Sequence, residues 1–299
     1  MKLLRTPDNR FKDLPDFSFK PHYIELKPEK IRVHYVDEGP AEADPILLMH
    51  GEPSWSFLYR DMVSILKDTE YRVLAPDLVG FGRSDKPTKQ TDHTYLKHVK
   101  WITQWVKKLD LKQITLFCQD WGSLIGLRVV IENQERFDRI VLSNGGLPTG
   151  EQQMNEAFLR WREFSRTSSL LDIQSIMQEG TKSHLSRKIL KAYDAPFPDE
   201  TYKAGPLIMP SLVPISKDDP EHEANKQAII QFRSWKKPFL TAFSDSDPIT
   251  RGGDKFFQNN VPGAKGQNHR TIKNAAHFVQ EDAGLELANI IVEFIKNNP

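Results

Sequence analysis

Leu116-Phe117-Cys118-Gln119-Asp120-Trp121-Gly122-Ser123 is the stretch on which the fold turns. Residues 113–118 read as a strand, and a helical pattern over 122–132 follows almost at once. The chain must therefore turn sharply at residues 119–121, which is the setting of a nucleophile elbow. Asp120 stands at the tip, with Cys118 two residues before it and Gly122 two residues after. Asp tolerates the unusual backbone of such a turn better than a bulky residue does. A carboxylate at that tip can attack carbon and form an ester. No G-x-S-x-G occurs, so a serine triad lacks its nucleophile. The bland alternative is that Asp120 only caps the helix behind it.

Outward from this unit, strand and helix patterns alternate. Residues 31–36, 45–49, 72–75, 113–118 and 139–143 read as strands. Residues 54–67 read as a helix with Ser54 as its N-cap. A second helix runs on from Thr94, with Leu96, Val99, Ile102, Val106 and Leu109 at helical spacing. From about residue 147 to 214 the pattern is helical and broken by Pro196, Pro198, Pro206, Pro210 and Pro214, without a clear strand. Alternation returns with helix 221–234, strand 238–243, helix 254–260, strand 269–273 and a closing helix 285–297. This predicts a mostly parallel sheet with helices on both faces. One core domain, residues 1–147 and 215–299, carries a helical insertion at 148–214.

Composition narrows the function. In 299 residues, 41 Lys and Arg balance 40 Asp and Glu, so there is no basic field for nucleic acid or anionic lipid. The single cysteine, Cys118, makes no internal disulfide or zinc cluster and reads as a small strand residue. The apolar runs are too short to span a bilayer, and the opening Met1-Lys2-Leu3-Leu4-Arg5 lacks a signal-like apolar region. A cytoplasmic protein is expected, a monomer in preference to an oligomer. Gly80-Phe81-Gly82-Arg83-Ser84-Asp85 lacks the third glycine of a dinucleotide fingerprint. The remaining histidines have no metal-ligand spacing. Neither cofactor nor metal is expected.

Three further stretches complete a catalytic pattern. His50-Gly51-Glu52-Pro53 follows the apolar strand 45–49, where α/β-hydrolases place an oxyanion loop. The backbone N–H groups of Glu52 and Trp121 are expected to converge on a carboxylate oxygen, and His50 reads as a buried imidazole bonded to backbone. Asn274-Ala275-Ala276-His277-Phe278 follows the last strand and offers a base. Ser244-Asp245-Ser246-Asp247-Pro248 follows the preceding strand and offers two acids. Asp247 is preferred over Asp245 because a residue before proline is held extended. The order Asp120, Asp247, His277 is nucleophile, acid, base.

Together these residues resemble the haloalkane dehalogenases of the α/β-hydrolase superfamily. Similar segments are Leu4-Arg5-Thr6-Pro7-Asp8, His34-Tyr35-Val36-Asp37-Glu38-Gly39, and the stretches 50–55, 75–87, 119–122, 193–205 and 277–282. The resemblance implies a helical cap, a haloalkane substrate, a halide product and water as second substrate. It implies an alkyl ester on Asp120, hydrolysed by water that His277 activates, with Asp247 steadying the imidazolium. It also implies two halide donors. Trp121 fits the first. Glu52 stands where one branch has an asparagine donor, and as a carboxylate it would repel halide. The other branch uses a cap tryptophan, and Trp161 alone of six tryptophans lies in the insertion. Asn144, after strand 139–143, is not a carboxylate, which agrees with an acid after the next strand. The rival is an epoxide hydrolase, which needs cap tyrosines such as Tyr193 and Tyr202 as acids.

Overall fold

A computed structural model describes residues 1–168 and 170–299. Its centre is an eight-stranded sheet: β1 (His22–Leu26), β2 (Ile31–Glu38), β3 (Pro45–Met49), β4 (Arg72–Pro76), β5 (Ile114–Cys118), β6 (Phe137–Leu142), β7 (Phe239–Ser244) and β8 (Arg270–Ile272). The spatial order is β1-β2-β4-β3-β5-β6-β7-β8. Only β2 runs against its neighbours, and the pairs from β4 to β8 are parallel. Residues of β3 and β5 are all buried, as central strands of a sheet covered on both faces are, with Thr115 the one polar side chain among them. Helices α1 (Arg60–Leu66), α2 (Tyr95–Lys108), α3 (Trp121–Glu132), α8 (His222–Phe232), α9 (Gly253–Asn260) and α10 (Val279–Asn297) belong to the core. Between β6 and α8 lie α4 (Glu156–Thr167), α5 (Ile173–Glu179), α6 (Arg187–Asp194) and α7 (Ala204–Leu212), with no strand among the described residues. This helical cap insertion completes the α/β-hydrolase fold.

Two local expectations fail. Residues 54–67 are not one helix: Ser56–Tyr59 form a 3-10 turn before α1, and Ser54 caps neither. Its hydroxyl donates to the Gly51 carbonyl instead, folding the loop after β3. Strand β1 has no counterpart in the sequence reading. It is an edge strand whose first four residues are exposed or half-buried, so burial leaves little apolar signature in it. No helix among the described residues is long and apolar enough to cross a membrane.

The site lies where strand order reverses. β3 is flanked by β4 and β5, so the loops leaving β3 and β5 diverge and open a crevice at their carboxyl ends. Met49 and Cys118 are register partners there, which places the loops starting at His50 and Gln119 side by side. Gly122 makes this approach possible. A Cβ on it would lie 2.0 Å from the Met49 carbonyl oxygen, so only glycine lets α3 start this close to β3.

Candidate active site

Asp120 occupies the turn with φ 49° and ψ −130°, a conformation that costs of the order of 1–3 kcal/mol for a non-glycine residue. Its amide donates to the Asn144 carbonyl (2.9 Å), and its carbonyl accepts from the Ser123 amide (2.8 Å). Its side chain does not cap α3, so the capping alternative fails and the carboxylate is free for another use. Oδ1 accepts the Glu52 backbone N–H at 2.8 Å. The Trp121 N–H, the other expected donor, begins α3 beside the carboxylate without such a bond. Gly51 leaves room for the carboxylate, since a Cβ there would lie 2.1 Å from Oδ1.

His277 lies 3.4 Å from Asp120 Oδ2 through Nε2 and 3.0 Å from Asp247 Oδ2 through Nδ1. Asp247 is buried, accepts the Ile249 N–H at 2.8 Å and also accepts the Thr250 hydroxyl. Burial opposes its charge, but His277 and these donors hold its carboxyl below the usual range. Burial alone would likewise pull the His277 pKa down. The charges of Asp247 and Asp120 and their hydrogen bonds reverse this and push it up to about 10. Asp245 does not reach His277. Its carboxylate accepts from Ser246 and lies 3.9 Å from the Lys273 ammonium.

Sequence reasoning noted Asn144 only for lacking a charge and missed what it does. Its Nδ2 donates to the carbonyls of Ala276 (2.7 Å) and His277 (3.1 Å) and to Ser244 Oγ (2.8 Å), while Oδ1 accepts the Ser244 amide (2.8 Å). One buried amide thus ties together the loops after β6, β7 and β8. Its position straight after β6 was the available signal. Gln119 adds a donor to the His277 carbonyl at 3.1 Å. His50 is the structural imidazole expected, with Nδ1 against the Gly51 carbonyl and Nε2 accepting the Leu78 amide, both at 2.9 Å.

Two cavities adjoin at Asp120, Phe158 and Ile249. One, about 400 Å³, is lined by Glu52, Trp161, His277 and Phe278 among others. The other, about 670 Å³, takes in Trp121, Leu124, Leu147, Val213 and Phe257. The two tryptophans therefore stand on either side of Asp120 rather than in one cavity. Trp55 is structural, donating from Nε1 to the Ala192 carbonyl at 3.1 Å. Neither Tyr193 nor Tyr202 lines either cavity. The Tyr193 hydroxyl is bound to Glu281, which also pairs with Arg60. The cap tyrosines that an epoxide hydrolase requires as acids are thus absent from the cavities at Asp120.

The sheet order, the strained carboxylate at the elbow and the adjacent histidine define an α/β-hydrolase, and the sequence profile of the alpha/beta hydrolase fold matches residues 44–284. The haloalkane dehalogenase of Psychrobacter cryohalolentis is 52% identical over the whole of both chains. That of Mycolicibacterium paratuberculosis is 48% identical over 98% of each. The structure of the tetrameric haloalkane dehalogenase DpaA from Paraglaciecola agarilytica superposes with a TM-score of 0.90 at 34% identity, covering 97% of each chain. The chain belongs to the haloalkane dehalogenases. Its reaction is hydrolytic dehalogenation, with a small haloalkane and water as substrates.

Proposed function

We propose that dehalogenation proceeds through an alkyl ester on Asp120. The observation that carries this reading is a carboxylate at the elbow that caps nothing, with His277 3.4 Å away and Asp247 behind it. The two carboxylate oxygens divide the work. Oδ2 forms the bond to carbon while the carbon–halogen bond breaks and its electron pair leaves with the halide. Oδ1, already on the Glu52 N–H, becomes the oxyanion when water attacks the ester carbon, with the Trp121 N–H as second donor. Breaking the bond between the carboxyl carbon and Oδ2 releases the alkyl oxygen, which takes the remaining water proton to become the alcohol and leaves a carboxylate, while the proton on His277 passes to solvent.

His277 serves only the second half. In the free enzyme the two carboxylates favour its imidazolium form. Esterification removes the Asp120 charge, lowers the imidazole pKa and lets Nε2 take a proton from water. Trp121 and Trp161 give their indole N–H groups to the departing halide where the two cavities adjoin. Residues 148–214 form the cap, and the remaining 1–147 and 215–299 form the core domain. A cytoplasmic monomer is the reading carried from the sequence, and light scattering at working concentration tests the oligomeric part.

The deciding experiment is His277→Phe with a bromoalkane. It should release one equivalent of bromide and stall with the alkyl mass on an Asp120 peptide. Alkylation elsewhere, or bound substrate without any adduct, rejects the assignment.

A further inference from the structure

Glu52 is a charged residue type in a place hostile to charge. Its side chain is 4% exposed, and Oε1 is buried without a hydrogen-bond partner. It lines the smaller cavity together with Asp120, Trp161 and His277. The other charged groups facing this cavity are Glu179 and Lys182. Burial, reinforced by the Asp120 charge, raises the Glu52 carboxyl well above the usual carboxylate range, and His277 and the Trp161 indole only partly offset it. A carboxyl so placed is driven toward its neutral form, which carries an O–H donor.

The position beside Trp161 is decisive. The Trp161 indole and the Glu52 carboxyl line the same small cavity next to Asp120. A halide that takes the indole N–H therefore arrives beside that carboxyl. An ionised Glu52 would repel it, as the sequence suggests, whereas a neutral one has a proton to offer. We propose that Glu52 is a third halide donor, its carboxylic O–H pointing at the leaving group alongside the indoles of Trp121 and Trp161. The proton stays on Glu52 throughout: the carbon–halogen electron pair leaves with the halide, and the O–H only hydrogen-bonds to it. This rests on the halide site proposed above and adds to it a residue whose backbone and side chain serve different half-reactions.

Bromide titration of tryptophan fluorescence separates the possibilities, with thermal melts to confirm folding. Glu52→Met, which removes the donor, should weaken bromide binding by roughly tenfold. Glu52→Gln, which is neutral and restores a donor, should recover most of that loss. Tenfold tighter binding in Glu52→Gln would show that the wild-type side chain is ionised and repulsive, and unchanged binding in Glu52→Met would show that it does not touch halide. Either overturns the proposal. If neither variant folds, bromide-induced infrared difference spectra of the wild-type enzyme decide. A shift of a protonated-carboxyl C=O band supports a third donor, and its absence rejects it. Wild-type fluorescence indifferent to bromide, with the infrared band still shifting, would instead sink the two-indole reading and leave Glu52 standing.

Discussion

His277 and Trp161 line the same cavity, yet the supports behind them differ in kind. His277 sits in a buried polar frame: Asp247 on Nδ1, and Gln119 and Asn144 on its carbonyl. Each of these bonds is shielded from water, and losing one partner strands another buried polar group. Trp161 is half-buried on α4 and stacks on Phe164, 5.7 Å between ring centroids, which is itself 45% exposed. Beyond packing, α4 is tied down by Asn155 Nδ2 on the Ile249 carbonyl (2.5 Å) and Arg162 on the Ser211 carbonyl (3.3 Å). The proposed base is thus fixed by hydrogen bonds in the core, and the proposed halide donor mainly by packing of a helix that two polar contacts tie down.

The largest effect separates these regions completely. Asp120→Ala should cut turnover at least about 10⁴-fold, while bromide still quenches tryptophan fluorescence because α4 and both indoles are untouched. Loss of quenching in a folded variant would mean that halide binding depends on the nucleophile loop, and the contrast would collapse. Trp161→Phe probes the other side. It keeps the ring and deletes the N–H, so halide affinity and the first half-reaction should fall together by between about 10- and 100-fold, with the melting temperature nearly unchanged. A drop in stability with normal turnover per folded molecule would make Trp161 a packing residue.

Asn144→Ala attacks the frame. It removes donors from three buried acceptors and leaves the Ser244 amide unpaired, and should cost about 2 kcal/mol in denaturant unfolding. Ester hydrolysis should slow more than halide release, because the His277 loop loses its tie to β6. Equal slowing of both steps would show that the loop is held by other contacts.

These contrasts also explain what could be read from the sequence. The all-buried β3 writes itself as an apolar run, and the elbow is legible because the end of β5, Asp120 and Gly122 lie within five residues of one another. The long-range ties of Asn144 are not, since its partners lie about 100 and 130 positions away and any of several polar residues after β6 would look the same. The surroundings of Glu52 are hidden for a related reason: only the fold shows the burial and the neighbouring Asp120 that together raise its carboxyl above the usual range. The edge strand β1 stayed hidden because its exposed positions have no apolar partner to pattern against.

The smallest predicted effect is also the most selective. Thr250 gives its hydroxyl to Asp247 Oδ2, the oxygen that meets His277 Nδ1. Thr250→Val is nearly isosteric and removes that one donor while the Ile249 N–H remains. Losing a donor to the charged form raises the Asp247 pKa, weakens its hold on the imidazolium and lowers the His277 pKa. Halide release does not use the imidazole as a base, so the burst should be unchanged. Ester hydrolysis develops positive charge on His277 and should slow about fivefold, the equivalent of roughly 1 kcal/mol. Its pH profile carries the sign: the base must be neutral, so the rate rises with pH, and a weaker base places the midpoint at lower pH than in the wild type. A midpoint that stays put while the rate falls would mean that Thr250 positions the loop without tuning the pair, and a slower burst would mean that Asp247 also governs the nucleophile.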